Sequence, residues 1–169
     1  NERWQVFPKL SASYVVMDNT AGMINNLRFR SAVGWAGSQP GIVNAYSQFV
    51  SFAQSPFAGR PGFVNDITFG NPNLRNERAR EWEVGAEVGV LNGRVGAEAT
   101  YYNRLVDDLL FFRPLPTSTG FSRQFFPIGS MSNKGIELLL RSTNVDRPNV
   151  SWNSTFTFTR NKNLVESLA

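Results

Sequence analysis

The chain is 169 residues long, 41% hydrophobic, 18% charged and 13% aromatic, with 14 Phe and a net charge of +4. Its charged share falls below the roughly one quarter usual in soluble domains. It has no Cys and no His. That excludes a disulfide scaffold, a Cys- or His-ligated metal or haem, a thiol nucleophile and a Ser-His-Asp triad.

The dominant period is two, the signature of half-buried strands. Over 9–16, Leu10, Ala12, Tyr14 and Val16 oppose Lys9, Ser11 and Ser13, and a turn follows at 17–26. Over 27–35, Leu27, Phe29, Val33 and Trp35 oppose Arg28, Arg30, Ala32 and Gly34. A long link, 36–79, carries Tyr46, Phe49, Phe52, Phe57, Arg60 and Phe63. Over 80–90, Trp82, Val84, Ala86, Val88 and Val90 oppose Glu81, Glu83, Gly85, Glu87 and Gly89. Asn92-Gly93 predicts a type I′ hairpin turn, because both central residues need positive φ. The return strand, 94–102, sets Val95, Ala97, Ala99 and Tyr101 against Arg94, Gly96, Glu98, Thr100 and Tyr102. A second long link, 103–132, holds Phe111, Phe112, Arg113, Phe121, Arg123, Phe125 and Phe126. Over 133–143, Ile136, Leu138 and Leu140 oppose Glu137 and Arg141, with Leu139 off the pattern. Asp146 and Pro148 mark a turn, and over 151–160 Trp152, Phe156 and Phe158 oppose Asn153, Thr155, Thr157 and Thr159.

Six strands in three hairpins, joined by alternately short and long connections, define an all-β antiparallel meander. Structureless connections beyond about 12–15 residues are uncommon in compact domains. Two of them at one end of a meander match the short periplasmic turns and long extracellular loops of outer-membrane barrels. On that reading the turns at 17–26, 91–94 and 144–150 are periplasmic. Arg28, Arg30, Glu83, Glu87, Glu98, Glu137 and Arg141 then face a watery lumen. Phe29, Val33, Trp35, Trp82, Val84, Val88, Tyr101, Ile136, Leu138, Leu140, Trp152, Phe156 and Phe158 face lipid, the Trp residues and Tyr101 forming an interfacial girdle. The period alone equally fits one sheet of a soluble binding or adhesin-like module. Trp82, Val84, Ile136, Leu138, Phe156 and Phe158 would then be buried in a closed core. No run of about 18 apolar residues predicts a transmembrane helix. Basic residues are scattered, and the densest group, Arg75, Arg78 and Arg80, is interleaved with Glu77 and Glu81, so no nucleic-acid partner is expected.

Gly70-Asn71-Pro72-Asn73-Leu74 with Glu77, then Trp82-Glu83-Val84-Gly85, forms one distinctive segment. Phe7-Pro8-Lys9-Leu10-Ser11, Leu27-Arg28-Phe29-Arg30-Ser31, Tyr101-Tyr102-Asn103 with Asp107-Asp108-Leu109-Leu110, and Pro114 to Phe121 are others. Asn133-Lys134-Gly135-Ile136-Glu137 and Asn161-Lys162-Asn163-Leu164-Val165 complete a series that covers nearly the whole chain. In their order these segments resemble motifs of TonB-dependent outer-membrane receptors of the SusC/RagA-like branch, the first of them the start of a late barrel strand. The resemblance implies an active importer of an oligosaccharide, peptide or metal chelate, embedded in outer-membrane lipid, often beneath a SusD-like lipoprotein lid. It implies a barrel of about 22 strands and coupling to TonB through an N-terminal plug. Neither the plug nor the other strands is among these residues, and Glu166 to Ala169 lacks the terminal aromatic typical of such barrels. The chain, 1–169, is therefore expected to be part of a longer receptor barrel. A barrel of the same family serving a structural or secretory complex remains open beside import.

The residues suggest no covalent chemistry, no enzyme and no cofactor. There is no GxGxxG, P-loop or GxSxG motif. A carboxylate pair from Asp66 with Asp107 or Asp108, or a loop calcium site from the same acids, would need loops to bring them together. Asn149 and Asn153 head N-x-S/T sequons that read as accidental. Binding is the stronger class. Candidate ligand contacts are Tyr46, Phe49, Phe52, Phe57, Arg60 and Phe63 in the first link and Phe112, Arg113, Phe121, Arg123 and Phe125 in the second. Their rings and guanidinium groups suit sugars or peptides, and equally suit packing among loops or against a protein.

Overall fold

The computed structural model describes residues 5–41, 49–52, 62–65 and 68–168. Strand β1 (Lys9–Met17) is followed by β2 (Ile24–Ser38), the short β3 (Phe49–Phe52), β4 (Gly62–Asn65) and β5 (Thr68–Phe69), and then β6 (Glu77–Val90). Strand β7 (Val95–Pro114), a 3-10 turn at Thr117–Thr119, β8 (Arg123–Arg147) and β9 (Val150–Leu168) complete the described chain. One sheet runs β1-β2-β6-β7-β8-β5, with β9 also paired to β8, while β3 and β4 form a separate antiparallel pair. The six long strands thus neighbour one another in chain order, as a meander must. Strands β1 and β9 have one partner each, so the sheet does not close on itself.

The chain divides into two units, residues 1–36, 79–105 and 132–164, and residues 37–78, 106–131 and 165–169. In the first, β1 and β2 pair antiparallel with Leu10 opposite Val33 and Tyr14 opposite Phe29, so apolar residues meet across one face. A bulge between Val15 and Met17 breaks the alternation there, placing Met17 rather than Val16 opposite Leu27. Strands β6 and β7 meet at the expected turn. Asn92 and Gly93 have φ of 55° and 78°, and Arg94 N–H donates to Leu91 O at 3.2 Å. In the second unit β5 runs parallel to the start of β8, with Thr68 opposite Arg123.

The two long links are not uniformly loop. Strand β7 continues past Tyr102 to Pro114, β8 begins at Arg123 rather than near 133, and three short strands lie within 36–79. Alternation fades in these stretches, at Asp107-Asp108 and the run Leu109-Leu110-Phe111-Phe112, while backbone pairing persists. A ladder needs only N–H and C=O groups in register, whatever the side chains do. Strand β9 likewise runs on to Leu168.

Among the described residues no apolar side chain is buried, and the buried polar ones are Thr68, Asn71 and Ser132. Trp82, Val84, Ile136, Leu138, Phe156 and Phe158 are all exposed, which contradicts the closed soluble core. On β6 the order is inverted relative to a water-soluble sheet. Trp82 and Val84 are 39% and 46% exposed, while the side chain of Glu87 on the opposite face is 25% exposed.

Candidate functional site

On the first unit the charged residues gather on one face. Glu87 on β6 lies 3.3 Å from Arg30 and 3.7 Å from Arg28 on β2. Arg30 Nη2 also donates to Thr100 Oγ1 of β7 at 2.7 Å. Gly85 makes this reach possible, because a Cβ there would stand 2.7 Å from Arg30 Nε. Arg141 on β8 donates to Glu98 Oε1 of β7 at 3.0 Å, and Arg104 lies 3.9 Å from Glu81. The result is a ladder of alternating charge across β2, β6, β7 and β8. Exposed pairs of this kind contribute about 0–1 kcal/mol each, and their main effect is to fix a charged, hydrated surface. Glu83 shares a groove with Glu81 and Arg104, while Glu137 is exposed and joins none of these pairs. Leu139, off the apolar pattern, lines the same polar hollow as Glu87, Glu98 and Arg141.

The opposite face of this unit is apolar. Trp82 and Tyr101 stack at 5.4 Å between ring centroids. Phe29, Val84, Ala86, Ala99, Tyr101 and Ile136 line one shallow depression. On β6 this face carries Arg80 before Trp82, and the alternation along β9 brings Arg160 and Lys162 after Phe158. The uncharged stripe is therefore bounded by basic residues.

The second unit assembles an aromatic–arginine cluster. Phe112 and Phe125 lie 4.1 Å apart, and the Arg123 guanidinium stands 4.5 Å over Phe112 while its Nε donates to Thr68 Oγ1 at 3.2 Å. Phe69 and Phe121 stack at 4.9 Å. Arg113 stacks instead on Phe126 at 3.9 Å. Consecutive strand residues point to opposite faces, so Phe112 and Arg113 cannot serve one site. Of the first-link candidates, Tyr46, Phe57 and Arg60 lie outside the described residues, as does Asp66, and Phe49, Phe52 and Phe63 fall on β3 and β4. Among the described residues no group of three or more metal-ligating side chains converges.

Residues that composition did not single out tie the cluster down. Asn71 is buried, its Nδ2 donating to Phe125 O at 2.9 Å while its Oδ1 accepts from Asn73 N–H. Gln124 donates to Gly70 O. The segment that begins at Gly70 is thus a clamp on β8, signalled in the sequence by the resemblance of its motif.

A sheet one layer thick, with one face charged and the other exposed and apolar, is the wall of a membrane β-barrel. The chain belongs to the TonB-dependent receptor β-barrel family: the family model described as TonB dependent receptor-like, beta-barrel, matches residues 1–167. It is 30% identical over 183 residues to TonB-dependent receptor P26 of Formosa agariphila, covering 99% of this chain and 18% of that protein. It is 26% identical over 178 residues to TonB-dependent receptor SusC of Bacteroides thetaiotaomicron, covering 99% and 18%. A solved structure of the RagAB peptide transporter superposes with a TM-score of 0.81 at 25% identity, covering 96% of this chain and 18% of that one. The siderophore receptor PirA of Pseudomonas aeruginosa shares the fold, with a TM-score of 0.59 at 18% identity, over 92% of this chain and 28% of that one. The chain spans less than a fifth of the length of these curated relatives. The family is that of outer-membrane proteins, and this segment is outer-membrane barrel.

Proposed function

We propose that this segment supplies wall and outer loops of a SusC/RagA-type importer that takes up an oligosaccharide or a peptide. The inverted exposure on β6 carries the reading. Trp82 and Val84 stand out while Glu87 on the opposite face is drawn into ion pairs with Arg28 and Arg30. That arrangement is stable only if the first face meets hydrocarbon and the second meets water. The stretch from Trp82 to Val90 matches the roughly 9–11 residues a tilted strand needs to cross the apolar layer. Phe29, Val33, Trp35, Val88, Ile136, Leu138, Leu140, Trp152, Phe156 and Phe158 extend the lipid face across neighbouring strands, and Glu83 and Glu137 join the lumen side.

In the whole receptor, substrate would be captured at the outer end beneath a SusD-like lipoprotein, and TonB would act through a plug. Phe112, Phe121, Arg123 and Phe125 would contribute stacking faces and N–H donors to that capture. Support for the two substrate classes comes from the similarity to SusC and to the RagAB peptide transporter. Two measurements test the reading in the full-length receptor. Cysteine at Glu83 should react with a membrane-impermeant maleimide in isolated outer membranes, and cysteine at Val84 should react only with a lipid-soluble reagent. Deletion of the gene should abolish TonB-dependent uptake of labelled oligosaccharides or peptides. Aqueous labelling at Val84 would refute the face assignment, and unchanged uptake of both classes would refute the transport role.

A further inference from the structure

Asp108 lies within β7 with φ at +57°, a left-handed conformation that non-glycine residues seldom adopt. In a strand this is bulge geometry. The start of β6 and the segment before it reach this point. Leu110 N–H donates to Glu77 Oε1 at 3.0 Å, and Arg75 Nη2 pairs with Asp108 Oδ1 at 2.8 Å. The next residue on Leu110's face is Phe112, which meets Phe125 and Arg123. The same clamp grips Phe125 from the other side through Asn71.

We propose that Glu77 and Asp108 are positioning residues. The bulge at Asp108, held by Arg75 and Glu77, sets the direction in which residues 109–114 continue and so seats Phe112 against Phe125 and beneath Arg123. The role is positioning for ligand capture, and in that respect it rests on the proposed contact function of the cluster. Glu77 acts on a backbone N–H, so any acceptor of the same reach suffices and its charge is dispensable. Asp108 contributes its tolerance of positive φ and its pair with Arg75.

The test uses the full-length receptor in outer membranes, with Phe112→Cys and Phe125→Cys introduced into this Cys-free segment and joined by a short bifunctional methanethiosulfonate. Glu77→Ala should slow crosslinking by about tenfold, as expected for loss of one hydrogen bond to a backbone N–H. Glu77→Gln should crosslink at the parent rate. A Glu77→Ala rate equal to the parent, or an equal loss in Glu77→Ala and Glu77→Gln, overturns the proposal. If Glu77→Ala fails to reach the membrane, Arg75→Ala, which removes the partner of Asp108 and leaves the residue at the bulge in place, is used instead, and an unchanged rate there overturns it. Uptake by Phe112→Ala tests the contact function separately. Unchanged uptake removes that function while the crosslinking rates still decide whether Glu77 places the strand.

Discussion

Alanine at Gly135 probes how tightly the charged face is packed. A Cβ built there stands 2.5 Å from Tyr102 Oη, 2.7 Å from Tyr102 Cζ and 2.8 Å from the backbone oxygen of Arg160. All three are well inside van der Waals contact. The phenol end of Tyr102 can swing aside, but the Arg160 carbonyl is main chain and moves only if β9 shifts against β8. Alanine ordinarily gains about 0.5–1 kcal/mol over glycine inside a strand. Overpacking costs about 1–3 kcal/mol. The second effect is larger, so Gly135→Ala should lower stability by about 1–2 kcal/mol. In a Tyr102→Ala background the added loss should shrink but not vanish, because the carbonyl remains. The assay is urea unfolding of the full-length receptor in detergent, followed by the gel shift between folded and heat-unfolded barrel. A Gly135→Ala receptor as stable as the parent, or more so, would refute the close approach of Tyr102 across this glycine.

Three further changes are expected to act in different ways. Leu138→Arg should destabilise the receptor by about 2–4 kcal/mol if Leu138 lies near the bilayer midplane, whereas Glu137→Gln, one residue away on the other face, should change little; equal effects in the urea assay would contradict the two-solvent sheet. Gly93→Ala should cost about 1–2 kcal/mol, because φ of 78° lies in the left-handed region, and unfolding midpoints compared with an Ala substitution at the exposed Asn149 check it. Asn71→Ala should cost about 1–3 kcal/mol by leaving the Phe125 carbonyl and the Asn73 N–H without their partner, and protease sensitivity at residues 109–126 on intact cells should rise with it.

Much of the wall was legible in the residues. Alternation located the six long strands, and Asn92-Gly93 located a turn with positive φ at both centres, because a type I′ turn is a local property of two residues. The order of the family-like segments also carried the barrel class. Strand ends were not legible. Past Tyr102 the side chains no longer alternate between two solvents, so the period vanishes although pairing continues to Pro114. The bulge at Val15–Met17 was hidden for a related reason: a slipped register belongs to two strands at once and leaves no mark in either alone.

The candidate site divided in the same way. Composition pointed to a set of Phe and Arg residues in 103–132, but register split it, putting Phe112 with Arg123 and Arg113 with Phe126. It also brought in Phe69, Thr68 and Asn71 from a distant part of the chain. Side-chain period is set by the solvent on each side of a strand, and so it is written residue by residue in the sequence. Which ring meets which guanidinium, which glycine must stay bare and where Asp108 breaks the ladder depend on strands far apart in sequence lying 4–5 Å from one another, and only the folded sheet fixes that.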